Sequence, residues 1–245
     1  MTNFVKAGLA LCLVSFALAS SVLARNGSDF DPREPSLKQS GHWEWIDYGF
    51  TPREPSIKQS GRWEWKWDGT DSLSIGLVGA TVRYIPNLPA RIVITGPDEA
   101  LERLRVGQGQ IRWCQNCRAI KGLEITVSGV TLHNVALSGA DINIQLGRLD
   151  QDRLRLAISG TGEINASGRI DRIDASISGA GSIQMADTRV QRANINIAGS
   201  GDVAMTPREE ANVHVAGSGR VRMTAMPARL NQSVTGSGGV RVVGN

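Results

Sequence analysis

Two cysteines three residues apart, Cys114 and Cys117, have the spacing of a reactive thiol site. Redox chemistry at that spacing needs the first cysteine at the N-terminus of a helix, where the thiolate is stabilised. Here the strand pattern QIRWC leads into the pair, and RAIKGLEITV, which also reads as β structure, follows it. We therefore predict a structural disulfide in an oxidising compartment rather than a redox site.

The surroundings of this pair favour neither haem nor zinc. Covalent haem attachment needs a histidine directly after the second cysteine, where the sequence has Arg118. A zinc site needs two more ligands. The only other cysteine, Cys12, lies in the N-terminal apolar stretch, and the histidines have no ligand spacing: His42, His133 and His214. We predict no metal and no cofactor.

Hydrolytic chemistry has little support in the sequence. No serine has glycine two residues before and two residues after it, so the nucleophile-elbow pattern is missing. Five carboxylates lie beside arginines in turn-like segments, which indicates solvated ion pairs: Asp150, Asp152, Asp171, Asp174 and Asp187. A carbohydrate-active enzyme stays the alternative, because two well-placed carboxylates suffice for glycoside hydrolysis.

Tryptophans at 43, 45, 63 and 65 belong to a duplicated segment. PREPSLKQSGHWEW from Pro32 recurs as PREPSIKQSGRWEW from Pro52. The two rings of each Trp-Glu-Trp fall on one side of an extended strand. Two interpretations follow. The second copy is an edge strand docked on the rest of the fold, with the first as a loose duplicate. Alternatively, Trp43, Trp45, Trp63 and Trp65 stack on a sugar or a partner protein.

The elements that position these residues come from a glycine repeat near the C-terminus. ISGTGEI, ISGAGSI, IAGSGDV, VAGSGRV and VTGSGGV place their first glycines at 160, 179, 199, 217 and 236. Apolar β-branched residues alternate around them, which is typical of strands with one buried face. A period of about 19 residues is typical of a β-solenoid coil, so we predict that Met185, Met205 and Met223 form one interior column.

We predict four segments along the chain. Residues 1–24 have the charged start, apolar stretch and small-residue cleavage site of a signal peptide, although a retained membrane anchor is an alternative. Residues 25–70 form a duplicated Pro/Trp-rich linker or arm, residues 71–122 an N-terminal β cap with one short helix, and residues 123–245 the solenoid. The net charge of +4 is spread along the chain, which argues against nucleic-acid binding.

The [IV]-x-G-x-G-x-[IV] repeat and the signal peptide together resemble the head GIN domain family, described as putative auto-transporter adhesins, over about residues 70–245. The resemblance implies an all-β, right-handed parallel β-helix and brings no catalytic residues. Because Asn245 directly follows a coil, we expect a periplasmic or secreted bacterial protein rather than a true auto-transporter.

The predicted function is that of an exported, non-enzymatic envelope protein. It would be an adhesin-like binding or structural module for envelope glycans or proteins, with no transmembrane segment after signal removal. Self-association through the C-terminal coil, which ends in VRVVGN, is a further expectation because that coil leaves an open strand edge.

Overall fold

The computed structural model describes residues 50–243, which form strands joined by turns and one short helix, α1 (Asp98–Glu102). The predicted signal peptide and the first tryptophan pair lie outside this range. The strands are β1 (Ile57–Gln59), β2 (Arg62–Lys66), β3 (Ser72–Gly76), β4 (Ala80–Ile85), β5 (Arg91–Thr95), β6 (Leu104–Gly107), β7 (Gln110–Trp113), β8 (Leu123–Ser128), β9 (Asn134–Gly179), β10 (Ser182–Gly199), β11 (Asp202–Gly217), β12 (Arg220–Met223), β13 (Arg229–Thr235) and β14 (Gly239–Val242).

Parallel strand pairing builds the predicted all-β solenoid. The long strands β9, β10 and β11 pair side by side, and β12, β13 and β14 continue the stack. One interior row runs Ile164, Ile183, Val203, Val221, Val240, so its members are 19, 20, 18 and 19 residues apart. The handedness of the coil stays a prediction.

Apolar side chains stacked coil on coil fill the interior. Met185 and Met205 are register partners, Met223 follows one coil later, and all three are buried. The predicted methionine column is therefore confirmed. Burying a side chain of this size contributes about 1.5–3 kcal/mol, so a repeated row of them makes each coil stabilise its neighbours.

The first glycine of each repeat lies directly against the same glycine of the preceding coil. A Cβ added at Gly179, Gly199 or Gly217 would lie 2.5–2.6 Å from the carbonyl oxygen of the preceding glycine. That oxygen accepts a hydrogen bond from the residue after each glycine, as in Ser200 N–H to Gly179 O at 2.9 Å. Their φ angles of 122–126° also favour glycine. Glycine is thus required twice, for space and for conformation.

The order of the coils in space differs from their order along the chain. Val82 of β4 pairs with Ile125 of β8 on one side and with Ile144 of β9 on the other. Likewise, β3 lies between β7 and β9. Parallel stacking therefore begins at Ser72, which corrects the expected start near Leu123. That prediction was based on the glycine repeat, but β3 and β4 pair in register although they lack the repeat.

Antiparallel strands close the outer end of this stack. β5 pairs with β8, β2 pairs with β5, and β1 pairs with β2. Trp63, Trp65 and Trp67 are 8%, 4% and 8% exposed and pack into the core at this end. The second copy of the duplicated segment is thus a docked hairpin rather than a linker, as the edge-strand interpretation expects.

The predicted helix over EALERLRV is shorter in the structure. Leu101 is buried on α1 as expected, whereas Leu104 begins strand β6. β6 pairs antiparallel with β7, so strand pairing replaces the last turn of the expected helix.

The disulfide between Cys114 and Cys117 is present and lies in the turn after β7. The Cys117 N–H donates to the Cys114 carbonyl at 3.1 Å, and the Cys114 N–H donates to the Arg103 carbonyl at 2.7 Å. The bridge therefore fixes a turn that is anchored to the end of α1.

A glycine-to-alanine pair tests the backbone contact between coils. We expect Gly199→Ala to lower the free energy of unfolding by about 1–3 kcal/mol, because the new methyl group meets the Gly179 carbonyl at positive φ. Gly147→Ala is the control, since a Cβ there meets nothing within 4 Å. Urea unfolding of both variants measures the difference; equal losses would contradict the account.

The hairpin formed by β1 and β2 is attached to helix α1 through Asp98. The Asp98 carboxylate accepts hydrogen bonds from the Gly61 N–H at 2.6 Å and the Ser60 hydroxyl at 2.7 Å. These bonds hold the pKa of Asp98 below its usual value. The contribution is therefore present above the unfolded-state pKa and is lost as pH falls through the folded one.

We expect Asp98→Asn to speed amide hydrogen exchange in β1 and β2 at neutral pH, and acid to do the same in the wild type. Glu99→Gln, which removes a carboxylate paired with Arg103 and not with the hairpin, is the control. Unchanged exchange in Asp98→Asn would show that the β2–β5 pairing and the tryptophans hold the hairpin without Asp98.

Candidate functional site

A groove of about 550 Å³ runs along the outside of the solenoid, across consecutive coils. Its walls carry the carboxamides of Gln145, Asn165 and Gln184, which project outward from successive coils. Gln184 and Asn165 are register partners, and the Asn143 amide donates to the Glu163 carboxylate of the next coil, which places Gln145 beside Asn165. Ser167 and Asp187 complete the polar lining.

Neighbouring side chains on the same strands hold two of these amides in place. The Asn165 amide donates to the Glu163 carboxylate at 3.0 Å, and the Gln184 amide donates to the Ser182 hydroxyl at 2.7 Å. Their carbonyl oxygens remain available as acceptors within the described structure. The groove therefore presents oriented amide groups at about the 4.8 Å spacing of adjacent strands.

The groove is polar but nearly neutral. Asp187 is the one carboxylate in its lining, and it is exposed. Glu163, on the neighbouring surface, is engaged by the amides of Asn143 and Asn165. Glycoside hydrolysis needs a pair of carboxylates flanking the bond. The lining of the groove therefore carries amide groups that can form hydrogen bonds, and it contains no pair of carboxylates.

The acids singled out by sequence lie on outer surfaces. Asp171 and Asp174 form ion pairs with Arg169 at 3.6 Å and Arg172 at 3.8 Å. Asp150 and Asp152 are exposed. The solvated ion pairs that the sequence indicates are therefore confirmed for Asp171 and Asp174, and of the five acids only Asp187 reaches the groove.

The tryptophans predicted to stack on a ligand divide into two pairs. The rings of Trp63 and Trp65 pack together with centroids 5.9 Å apart, and the Trp65 indole N–H donates to the Arg53 carbonyl at 3.0 Å. Because both are buried, neither offers a free ring face to a sugar, which corrects the expected role for this pair. Trp43 and Trp45 lie outside the described residues, and their role stays a prediction.

The sequence profile of one family, described as "Putative auto-transporter adhesin, head GIN domain", matches residues 79–227. That span is most of the chain and includes the groove and the first four of the five repeat glycines, Gly160, Gly179, Gly199 and Gly217. The chain belongs to the head GIN domain family.

A solved structure shares the fold of this head GIN protein. A putative adhesin from Bacteroides fragilis is 17% identical, covers 73% of this chain and 94% of its own, and gives a TM-score of 0.56. A putative lipid binding protein from Parabacteroides distasonis is 16% identical, covers 74% of this chain and 96% of its own, and gives a TM-score of 0.42. No curated protein matches the chain.

Residues 50–243 of this head GIN protein hold no group of three or more His, Cys, Asp or Glu side chains arranged to bind a metal ion. Across the same range, no helix has the length and apolar character needed to cross a membrane. Burial raises the pKa of Tyr84, whose hydroxyl donates to the Val130 carbonyl. Tyr84 is therefore a core residue and not a candidate acid or base.

Sequence reasoning missed the amide groove. Gln145, Asn165 and Gln184 are 20 and 19 residues apart, so the repeat itself could have aligned them. This spacing did not stand out because each amide alternates with buried residues along its strand. Polar residues are expected at such positions on the solvent-facing side of any strand.

Proposed function

We propose that this head GIN protein is an exported, non-enzymatic adhesin-like module that binds neutral glycan chains of the cell envelope along the amide groove. The observation that carries the proposal is the line of oriented carboxamides on three coils, Gln145, Asn165 and Gln184. Amides both donate and accept hydrogen bonds, as the hydroxyl groups of sugars do. A nearly neutral groove suits an uncharged ligand.

Membership of an adhesin family supports a binding role. The predicted signal peptide of residues 1–24 supports export to the periplasm or the cell surface. The single exposed carboxylate of the groove supports binding over hydrolysis.

The test is a screen of glycan and peptidoglycan fragments against the full-length protein, purified after export by its host. We expect oligosaccharides to bind more tightly than single sugars, because the outer amides lie about 10 Å apart, two strand spacings. Soluble sugar release is measured on the same fragments. Release of sugars would replace the proposal with the carbohydrate-active enzyme.

Removing two amides should weaken binding without unfolding the protein. We expect Gln145→Ala/Gln184→Ala to raise the Kd about tenfold or more, since each lost hydrogen bond contributes about 0.5–1.5 kcal/mol. Asn196→Ala/Asn231→Ala removes two exposed, outward-facing amides from another side of the coil and is the matched control. Titration calorimetry of both gives the comparison; equal Kd values would place recognition elsewhere.

A further inference from the structure

The two ends of the solenoid differ in how their cores are covered. At one end Trp63 pairs with Ile94 and Trp65 with Ile92, and the tryptophans close the interior rows. At the other end of residues 50–243 the last members of these rows are Val240 and Val242 of β14, which are only partly buried.

Strand edges are open at this second end. Of the residues that the structure describes, none pairs with the outer edge of β13 or β14. Val243, which follows β14, is 55% exposed, and Met226, in the loop before β13, is 67% exposed. An unpaired edge with apolar side chains is a template for another strand.

The chain carries a second copy of the segment that covers the first end. Pro32–Trp45 repeats Pro52–Trp65 and differs at two of fourteen positions, Leu37 for Ile57 and His42 for Arg62. Within the fourteen positions, the hairpin residues whose contacts are described above recur in the first copy, whereas Trp67, beyond the repeat, corresponds to Asp47: Arg33, Ser40, Gly41, Trp43 and Trp45 stand for Arg53, Ser60, Gly61, Trp63 and Trp65. The site on β5 is already occupied by the second copy.

Charge favours docking of the first copy on β14. In the docked hairpin Glu64 faces outward between the two tryptophans and pairs with Arg91 at 3.3 Å. In β14 Arg241 is exposed between Val240 and Val242, and no described carboxylate pairs with it. An antiparallel strand with Trp43 opposite Val242 and Trp45 opposite Val240 places Glu44 opposite Arg241. Directly opposite residues of unlike charge stabilise strand pairs.

The length of chain between the first copy and Phe50 decides whether the first copy can dock on β14 of its own molecule or only on β14 of another molecule. The Phe50 ring lies 3.9 Å from the Arg112 guanidinium on β7. Four residues lie between Trp45 and Phe50, so the five steps from one to the other reach about 17 Å. From β7 the stack continues through β3 and then the coils of Gly139, Gly160, Gly179, Gly199, Gly217 and Gly236. Those seven steps span about 34 Å, so the first copy cannot reach β14 of its own chain.

We propose that the segment Pro32–Trp45 of one molecule docks on β14 of a second copy, with its tryptophans over Val240 and Val242. Each molecule then has one donor segment and one acceptor edge, so copies join head to tail in an open chain. This assembly is independent of glycan binding in the groove.

The test is the mass of the exported full-length protein by sedimentation velocity across a range of concentrations. We expect oligomers that grow with concentration, and monomers for the donor variant Trp43→Ala/Trp45→Ala and the acceptor variant Val240→Lys/Val242→Lys. Mixing the two variants should give a one-to-one dimer and no longer species, because one donor and one acceptor remain.

A charge swap tests the register. Glu44→Arg and Arg241→Glu should each weaken self-association at least about tenfold, because each creates a like-charge pair, and the double variant should restore it. Arg83→Glu, on the same outward row at the capped end, is the control. A wild-type monomer at every concentration, or oligomers indifferent to the tryptophan and charge variants, would overturn the proposal. The glycan affinity of Trp43→Ala/Trp45→Ala is measured as well. It should equal that of the wild type, because assembly and glycan binding are independent, so it tests the groove separately.

Discussion

The contact between backbones at the glycine column is the constraint on which the solenoid depends. Each coil rests with its turn against the carbonyl oxygen of the preceding glycine, and the next N–H donates to that oxygen. No side chain fits between them. A repeat that slips by one residue would lose this contact and would turn every interior side chain outward. The column thus fixes register for the interior rows and the outer surface together.

Because the register is fixed, the period of the sequence determines which side chains become neighbours on the surface. Residues about 19 positions apart become neighbours at strand spacing, which is how separate amides become a groove. The same stacking builds an outward ladder in which the Asn231 amide donates to Asn212 at 2.8 Å, and Asn212 donates to Asn194 at 3.1 Å. The proposed glycan ligand is extended and repetitive, which matches functional groups that are themselves repeated along the solenoid.

The sequence was sufficient for the fold class, the methionine column and the disulfide, because each rests on local spacing or on the repeat. It was insufficient for the position of β4 between β8 and β9, because that depends on long-range pairing of strands that have no glycine phrase. Burial of Trp63 and Trp65 was one of two open interpretations, since an extended Trp-Glu-Trp places its rings on one side whether that side is covered or free. The repeat spacing could have aligned the three amides of the groove, but outward polar residues are common on strands, and only the structure shows that these three line one groove.

The central claim is that register places β4 between β8 and β9, so that surface neighbours are not neighbours in the chain. Paired cysteines test it most directly, with disulfides mapped by mass spectrometry. Arg83 is the register partner of both Thr126 and Gln145. The account predicts a disulfide in Arg83→Cys/Gln145→Cys and none in Thr126→Cys/Gln145→Cys, whose Cα atoms lie about 9.6 Å apart, beyond the reach of a bridge. A bridge between positions 126 and 145, with none between 83 and 145, would show that the coils stack in chain order and would contradict the account.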